Sequence, residues 1–179
     1  MTRKVTTPFL VFLLVAALAG CRSRTDRSEG TVILSVTDFD ELPAQVSVTS
    51  GPFSIGQIQL RSIPKDPTGS TSDLQSVEIR SYEISFVRRD TGRRVPPALV
   101  QSVFGLVAPG STTTFDNLPL MTADQLQNPP LLDLARTGRD SETGSAVIVL
   151  DARLRFFGRT LSGDDIVSNT AAFTIEVVP

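Results

Sequence analysis

Ile148-Val149-Leu150-Asp151-Ala152-Arg153-Leu154-Arg155-Phe156-Phe157, within Ala146–Phe157, has the cleanest alternation in the chain. Ile148, Leu150, Ala152, Leu154 and Phe156 fall on one parity, and Asp151, Arg153 and Arg155 on the other. Successive side chains of a β-strand point to opposite faces, so the pattern predicts a strand with one face on a core and one in water.

The same period recurs outward from this run. Downstream, a polar loop over Gly158–Ser168 leads to Phe173, Ile175 and Val177, a last strand. Upstream, Val32, Leu34 and Val36 alternate, Val46 and Val48 mark a second strand, and Ile55, Ile58 and Leu60 lie in a third. Val100–Val107 and Thr112–Phe115 read as further strands, separated by Pro109-Gly110. Turn chemistry divides these runs: the loop from Pro64 to Asp73, Asp90-Thr91-Gly92, and Pro96-Pro97. Within Leu74–Arg89, Val77 and Ile79 share one parity while Tyr82, Ile84 and Phe86 take the other. A regular strand cannot bury both sets on one side, so a bulge or bend is expected near Arg80-Ser81.

Leu118–Arg139 interrupts the period. Thr122-Ala123-Asp124-Gln125 has capping-box spacing and opens one short helix, which Asn128-Pro129-Pro130 stops. Leu118, Leu120, Met121, Leu126, Leu131, Leu132 and Leu134 make this connection unusually apolar. It is expected to fold over an open end and complete the core; the alternative is a groove or lid that receives a partner. About seven or eight strands without a strand–helix rhythm predict an all-β fold, a single antiparallel β-sandwich with one short helical connection, over residues 31–179.

The N-terminus has a different character. Arg3 and Lys4 precede an apolar run from Phe9 to Ala19, too short to span a bilayer, and Leu18-Ala19-Gly20-Cys21 closes it with the chain's one cysteine. These residues resemble the lipobox of bacterial lipoproteins. The resemblance implies a signal peptide over residues 1–20, cleavage before Cys21, and acyl chains such as palmitate held through a thioether on Cys21. It also implies residence in the bacterial cell envelope. Arg22 follows the cysteine in place of the aspartate that marks inner-membrane retention in enterobacterial lipoproteins, which favours an outer membrane where the cell has one. Residues 21–30 then form the lipidated cysteine and a polar tether, with a stretched reach of about 30 Å.

The closing unit carries a second resemblance. Gly158-Arg159-Thr160-Leu161-Ser162-Gly163-Asp164, between the alternating run and Phe173-Thr174-Ile175-Glu176-Val177, is similar to the closing hairpin of bacterial immunoglobulin-like domains, which implies an immunoglobulin-like sandwich. No family motif stands out between Thr31 and Ser145, and tryptophan is absent.

Composition narrows function. Residues 1–20 hold two of the seventeen basic residues and no acid, so fifteen basic face nineteen acidic side chains in the remainder, which argues against a nucleic-acid partner. The chain has no histidine, which removes Ser-His-Asp and Cys-His catalysis and imidazole metal ligands. No cofactor is expected. The expected role is a non-enzymatic binding or structural module, attached to the membrane through Cys21, that meets an envelope protein partner through its loops or a strand edge.

Several residue groups are candidates for more specific chemistry. Asp38, Asp40 and Glu41, with Asp164 and Asp165, offer oxygens for calcium at one end of the sandwich, although turn chemistry explains aspartates equally. Arg88, Arg89, Arg93 and Arg94 flank one turn with Asp90 alone to offset them, which suits an anionic contact; their removal is expected to change stability little. A glycan- or anionic-ligand-binding module is the alternative reading, and a glycan platform would use Phe104, Phe115 or Tyr82. A carboxylate-based hydrolase would pair acids such as Asp151 and Asp164. Ser62-Ile63-Pro64-Lys65 matches Ser-x-x-Lys, but Pro64 opposes the helix that spacing needs.

Overall fold

The alternating run is β7 (Ile148–Thr160) and lies inside its sheet in a computed structural model that describes residues 30–40, 42 and 45–179. The five apolar residues of its inward parity, Ile148, Leu150, Ala152, Leu154 and Phe156, are fully buried. On one side β7 pairs antiparallel with β4 (Val77–Arg88), and β4 with β5 (Leu99–Val107). On the other side it pairs with β9 (Ala171–Val178) and, past Phe156, with β8 (Asp165–Val167). A short β2 (Gln45–Ser47) adds to β9 in parallel, the one departure here from antiparallel pairing. The second sheet runs β1–β3–β6, from β1 (Val32–Asp40), β3 (Phe53–Pro64) and β6 (Thr112–Met121). The described residues thus contain nine strands in two packed sheets, an all-β sandwich.

The phase change in β4 is a bulge. Against β7 the register shifts between Ile79 and Ser81 and leaves Arg80 as the extra, exposed residue; against β5 the extra residue is on β5, where Val103 and Phe104 stand opposite Arg80. Val77 and Ile79 before it and Tyr82, Ile84 and Phe86 after it then all face the core. Gly158 lies beside the bulge, where a Cβ would sit 2.7 Å from the Glu78 carbonyl oxygen, so a side chain has no room there.

Two segments differ from the sequence expectation. Strand β6 runs on through Leu118 to Met121, where a connection was expected. Pro119 is tolerated because β6 is an edge strand and needs no donor on its free side. Asn117, at φ 54°, falls opposite Gly56, and both strands change phase there, so Phe115 and Leu118 are buried facing Ile58 and Ile55. The expected polar loop after Phe157 is largely strand, because β7 continues to Thr160 and turns tightly into β8.

The capping box forms at Thr122 and Gln125 and opens α1 (Ala123–Leu126). A second helix, α2 (Leu131–Thr137), follows the two prolines and ends on Gly138 at φ 69°, so two helical turns stand where one was expected. Leu118, Leu120, Met121, Leu126, Leu131 and Leu134 join the one core cluster, so the segment closes an end of the sandwich. Aromatic contact ties the sheets together. The Phe156 ring lies 5.7 Å from Phe115 of the other sheet and 5.8 Å from Tyr82, centroid to centroid. The Tyr82 hydroxyl donates to the Pro119 carbonyl across the sandwich at 2.8 Å.

Candidate functional site

The arginine cluster is built differently from a cationic tip. Arg88 ends β4 and its side chain is 2% exposed. It donates to both Asp90 oxygens at 2.6 and 2.7 Å, and to Asp140 at 2.9 Å, whose side chain is fully buried. Glu142 accepts the backbone N–H groups of Arg93 and Arg94, each at 2.8 Å. The Arg94 side chain lies between Glu142 and Asp133, and Arg89 pairs with Asp151 and Thr174. Asp90 is therefore not the sole offsetting acid: Asp133, Asp140, Glu142 and Asp151 share that role, and Arg88 is a structural residue, while the Arg89, Arg93 and Arg94 side chains are exposed. The group's partners lie about fifty residues downstream, where no local spacing announces them.

Electrostatics within the network follow from those bonds. Burial opposes the charge on Asp140, but hydrogen bonds from Arg88 and Thr143 outweigh it and hold its carboxyl at about 2. The Arg88 hydrogen bond keeps Asp90 below its ordinary value, and the backbone amides of Arg94 and Arg93 do the same for Glu142. Burial likewise works against the Arg88 charge, yet its bonds to Asp90 and Asp140 leave its pKa raised.

The remaining candidates are separated in space. Tyr82 and Phe115 are core residues, and burial pushes the Tyr82 phenol up to about 12, so neither supplies a glycan platform. Asp151 and Asp164 lie near opposite ends of β7, about 30 Å apart at strand rise, far beyond the spacing of a glycosidase pair. Asp164 sits in the β7–β8 turn with Thr160 and Ser162, and Asp165 faces Arg159. Asp38 lies beside Gln59 in the other sheet, away from that turn. The Asp40 side chain and Glu41 fall outside the described residues, as do Cys21 and the tether up to Glu29. Among the described residues no three acids, cysteines or histidines come together to hold a metal ion. Ser62 is buried on β3 with no hydrogen-bond partner for its hydroxyl, while Lys65 is exposed beyond the strand end. A strand does not bring that pair onto one face.

What the structure does bring together is an apolar row on an edge. Among the described residues, strand β5 is the last of its sheet and pairs only with β4. Its nine residues, Leu-Val-Gln-Ser-Val-Phe-Gly-Leu-Val, carry no charge and no proline. Inward, Leu99 and Val107 are buried, and Gly105 leaves room for the Phe115 ring. Outward, Val100, Phe104 and Leu106 are 65%, 80% and 50% exposed. The Leu106 carbonyl accepts from the Thr113 hydroxyl of β6 at 3.0 Å, so the second sheet engages the edge at that end and the open stretch lies toward Val100. Edge strands of soluble proteins are usually blunted by charge, proline, a bulge or a covering element; β5 has no charge or proline, and its one irregularity is the extra residue at Val103-Phe104. The sequence signal was present, since both parities of 99–107 are mostly apolar, but it did not say which parity faces out.

Compared with known proteins, the chain matches no family model, no curated sequence and no solved structure.

Proposed function

We propose that this chain is a lipid-anchored protein of the bacterial cell envelope, held through Cys21, that works without catalysis by offering the β5 edge to a protein partner. The uncharged edge with Val100, Phe104 and Leu106 turned outward carries this reading. An added strand satisfies the open backbone groups while its side chains cover the apolar row. The leader and Leu18-Ala19-Gly20-Cys21 support the anchor, and the sandwich, which resembles immunoglobulin-like domains in its closing hairpin, supports a binding scaffold. No helix of the described residues is long and apolar enough to cross a membrane, so these residues supply no helical anchor of their own.

A photo-crosslinking amino acid in place of Phe104, in living cells, tests the edge. A discrete adduct that is absent when the same group replaces Arg153 is expected. Equal labelling from both positions would remove β5 as the contact. Labelled palmitate tests the anchor: the parent is expected to incorporate it, and Cys21→Ser to lose it and accumulate as precursor.

A further inference from the structure

Of the seven other exposed large apolar side chains among the described residues, four lie toward one end of the sandwich, while Val87 and Val95 lie toward the Arg88 end and Val167 is on β8. Ile33 and Ile63 are direct partners across β1 and β3, 50% and 39% exposed, on the outer face of the smaller sheet. Leu74 and Leu161, 59% and 50% exposed, are adjacent: the Leu74 carbonyl accepts the Ser162 N–H at 2.9 Å, and the Ser76 carbonyl accepts the Leu161 N–H at 3.0 Å. A mostly polar cleft of about 380 Å³, lined by Thr31, Pro64, Lys65 and Gln75 among others, lies at the same end of the sandwich, its lining next in sequence to both pairs. That is the end at which the chain enters the fold. Gly30 is buried there against the end of the Ile166 side chain. The helices and the Arg88 network occupy the opposite end.

Single exposed leucines are ordinary on protein surfaces. Four large aliphatic side chains gathered where the chain arrives from its anchor call for an occupant. Residues 22–30 reach about 30 Å when stretched, which keeps this end within contact of the bilayer that holds the Cys21 lipid. Lys65 and Asp66 line the cleft, Asp73 precedes Leu74, and Arg159 faces Asp165 past Leu161, so neither sign of charge dominates and attraction to lipid would come from apolar burial. We infer that this end, led by Leu74 and Leu161, seats on the lipid surface and holds the helical end away from the membrane. The inference rests on the lipid-anchor reading above.

Cys21 is the chain's one cysteine and is consumed by its lipid in that reading, so an introduced thiol can be labelled alone. Full-length lipidated Leu74→Cys, Leu161→Cys and Arg136→Cys, each carrying an environment-sensitive fluorophore, would be reconstituted in phosphatidylcholine vesicles containing a spin-labelled quencher lipid. Loss of most fluorescence is expected at positions 74 and 161, little loss at 136 on α2, and no relief at high salt. Vesicle-bound protein quenched equally at all three positions would overturn the seating and leave the anchor standing. Failure of the protein to incorporate palmitate and float with vesicles would overturn both. All three sites are exposed, and matching thermal midpoints verify that each variant is folded.

Discussion

Strands β7 and β5 both alternate, yet their outward rows are opposites. β7, inside its sheet, shows water Asp151, Arg153 and Arg155, with Arg155 paired to Glu83 at 2.8 Å. β5, at the rim, shows Val100, Phe104 and Leu106. A central strand has no free backbone to protect and needs only a solvated face. An edge strand has both a face and a side to guard, and β5 guards neither with charge. The outward row therefore separates a strand that completes the fold from one that is open to association.

The sharpest way to break this comparison is to charge the inward row of β7. Leu154 is fully buried between Ile84 of β4 and Ala171 of β9. Leu154→Asp places an unpaired carboxylate there, at a cost of several kcal/mol against a total stability of about 5–15 kcal/mol, and is expected to abolish cooperative unfolding. Arg153→Asp, one residue along on the other face, is expected to shift stability by no more than about 0.5 kcal/mol. Urea midpoints measure both, and equal values would refute the assigned phase.

Next in size is Arg88, whose sequence neighbourhood suggested an exposed tip. Arg88→Met leaves Asp140 buried without its cation and is expected to cost about 3–5 kcal/mol, in contrast to the small change expected from the sequence. The network also sets an acid limit. Asp140 is depressed from its ordinary 3.8 to about 2, so its contribution is full above about pH 4 and is lost as pH falls toward 2. The parent is expected to lose stability across that window, and Arg88→Met to lose less, because its Asp140 keeps only the Thr143 hydrogen bonds against the opposing effect of burial. Parallel pH profiles in chemical denaturation would sink the assignment.

The sequence was legible wherever polarity marked the faces. In β7 the charged parity settled the phase, and in β4 the clash between Ile79 and Tyr82 located the bulge at Arg80. It was less legible where pairing is distant. Nothing near Arg88 signals Asp140, and nothing near Asn117 shows that its turn is matched by Gly56 across the ladder. For Tyr82 and Phe115 a core place and a glycan platform were both open from sequence, and the choice rests on distant partners, Phe156 against both rings and Pro119 at the Tyr82 hydroxyl. The candidate edge was half legible: the apolar run of 99–107 stood out as a strand, but its rim position is a property of sheet order, which no local pattern encodes.

A smaller effect is expected on the inner side of β5. A Cβ at Gly105 would lie 2.5 Å from Cζ of the Phe115 ring, itself packed on Phe156. Gly105→Ala must displace a buried ring and is expected to cost about 1–3 kcal/mol in thermal or urea unfolding. A neutral result would mean that β5 stands further from the second sheet than this contact requires.

The smallest expected change in stability is at Phe104, and there the two strands part most clearly. With 80% of its surface already in water, Phe104→Lys gives up little packing, and its unfolding midpoint should match the parent. The same substitution supplies the edge charge that β5 lacks, so any strand that pairs there must bury or bypass a lysine. Loss of the position-specific adduct from a crosslinker at Val100, at unchanged stability, is the expected outcome. Arg155→Lys on the outward row of β7 serves as the matched control, since it alters an exposed side chain without touching the rim. If Phe104→Lys keeps the adduct, the apolar row is a solvated surface and β5 differs from β7 only in its place in the sheet.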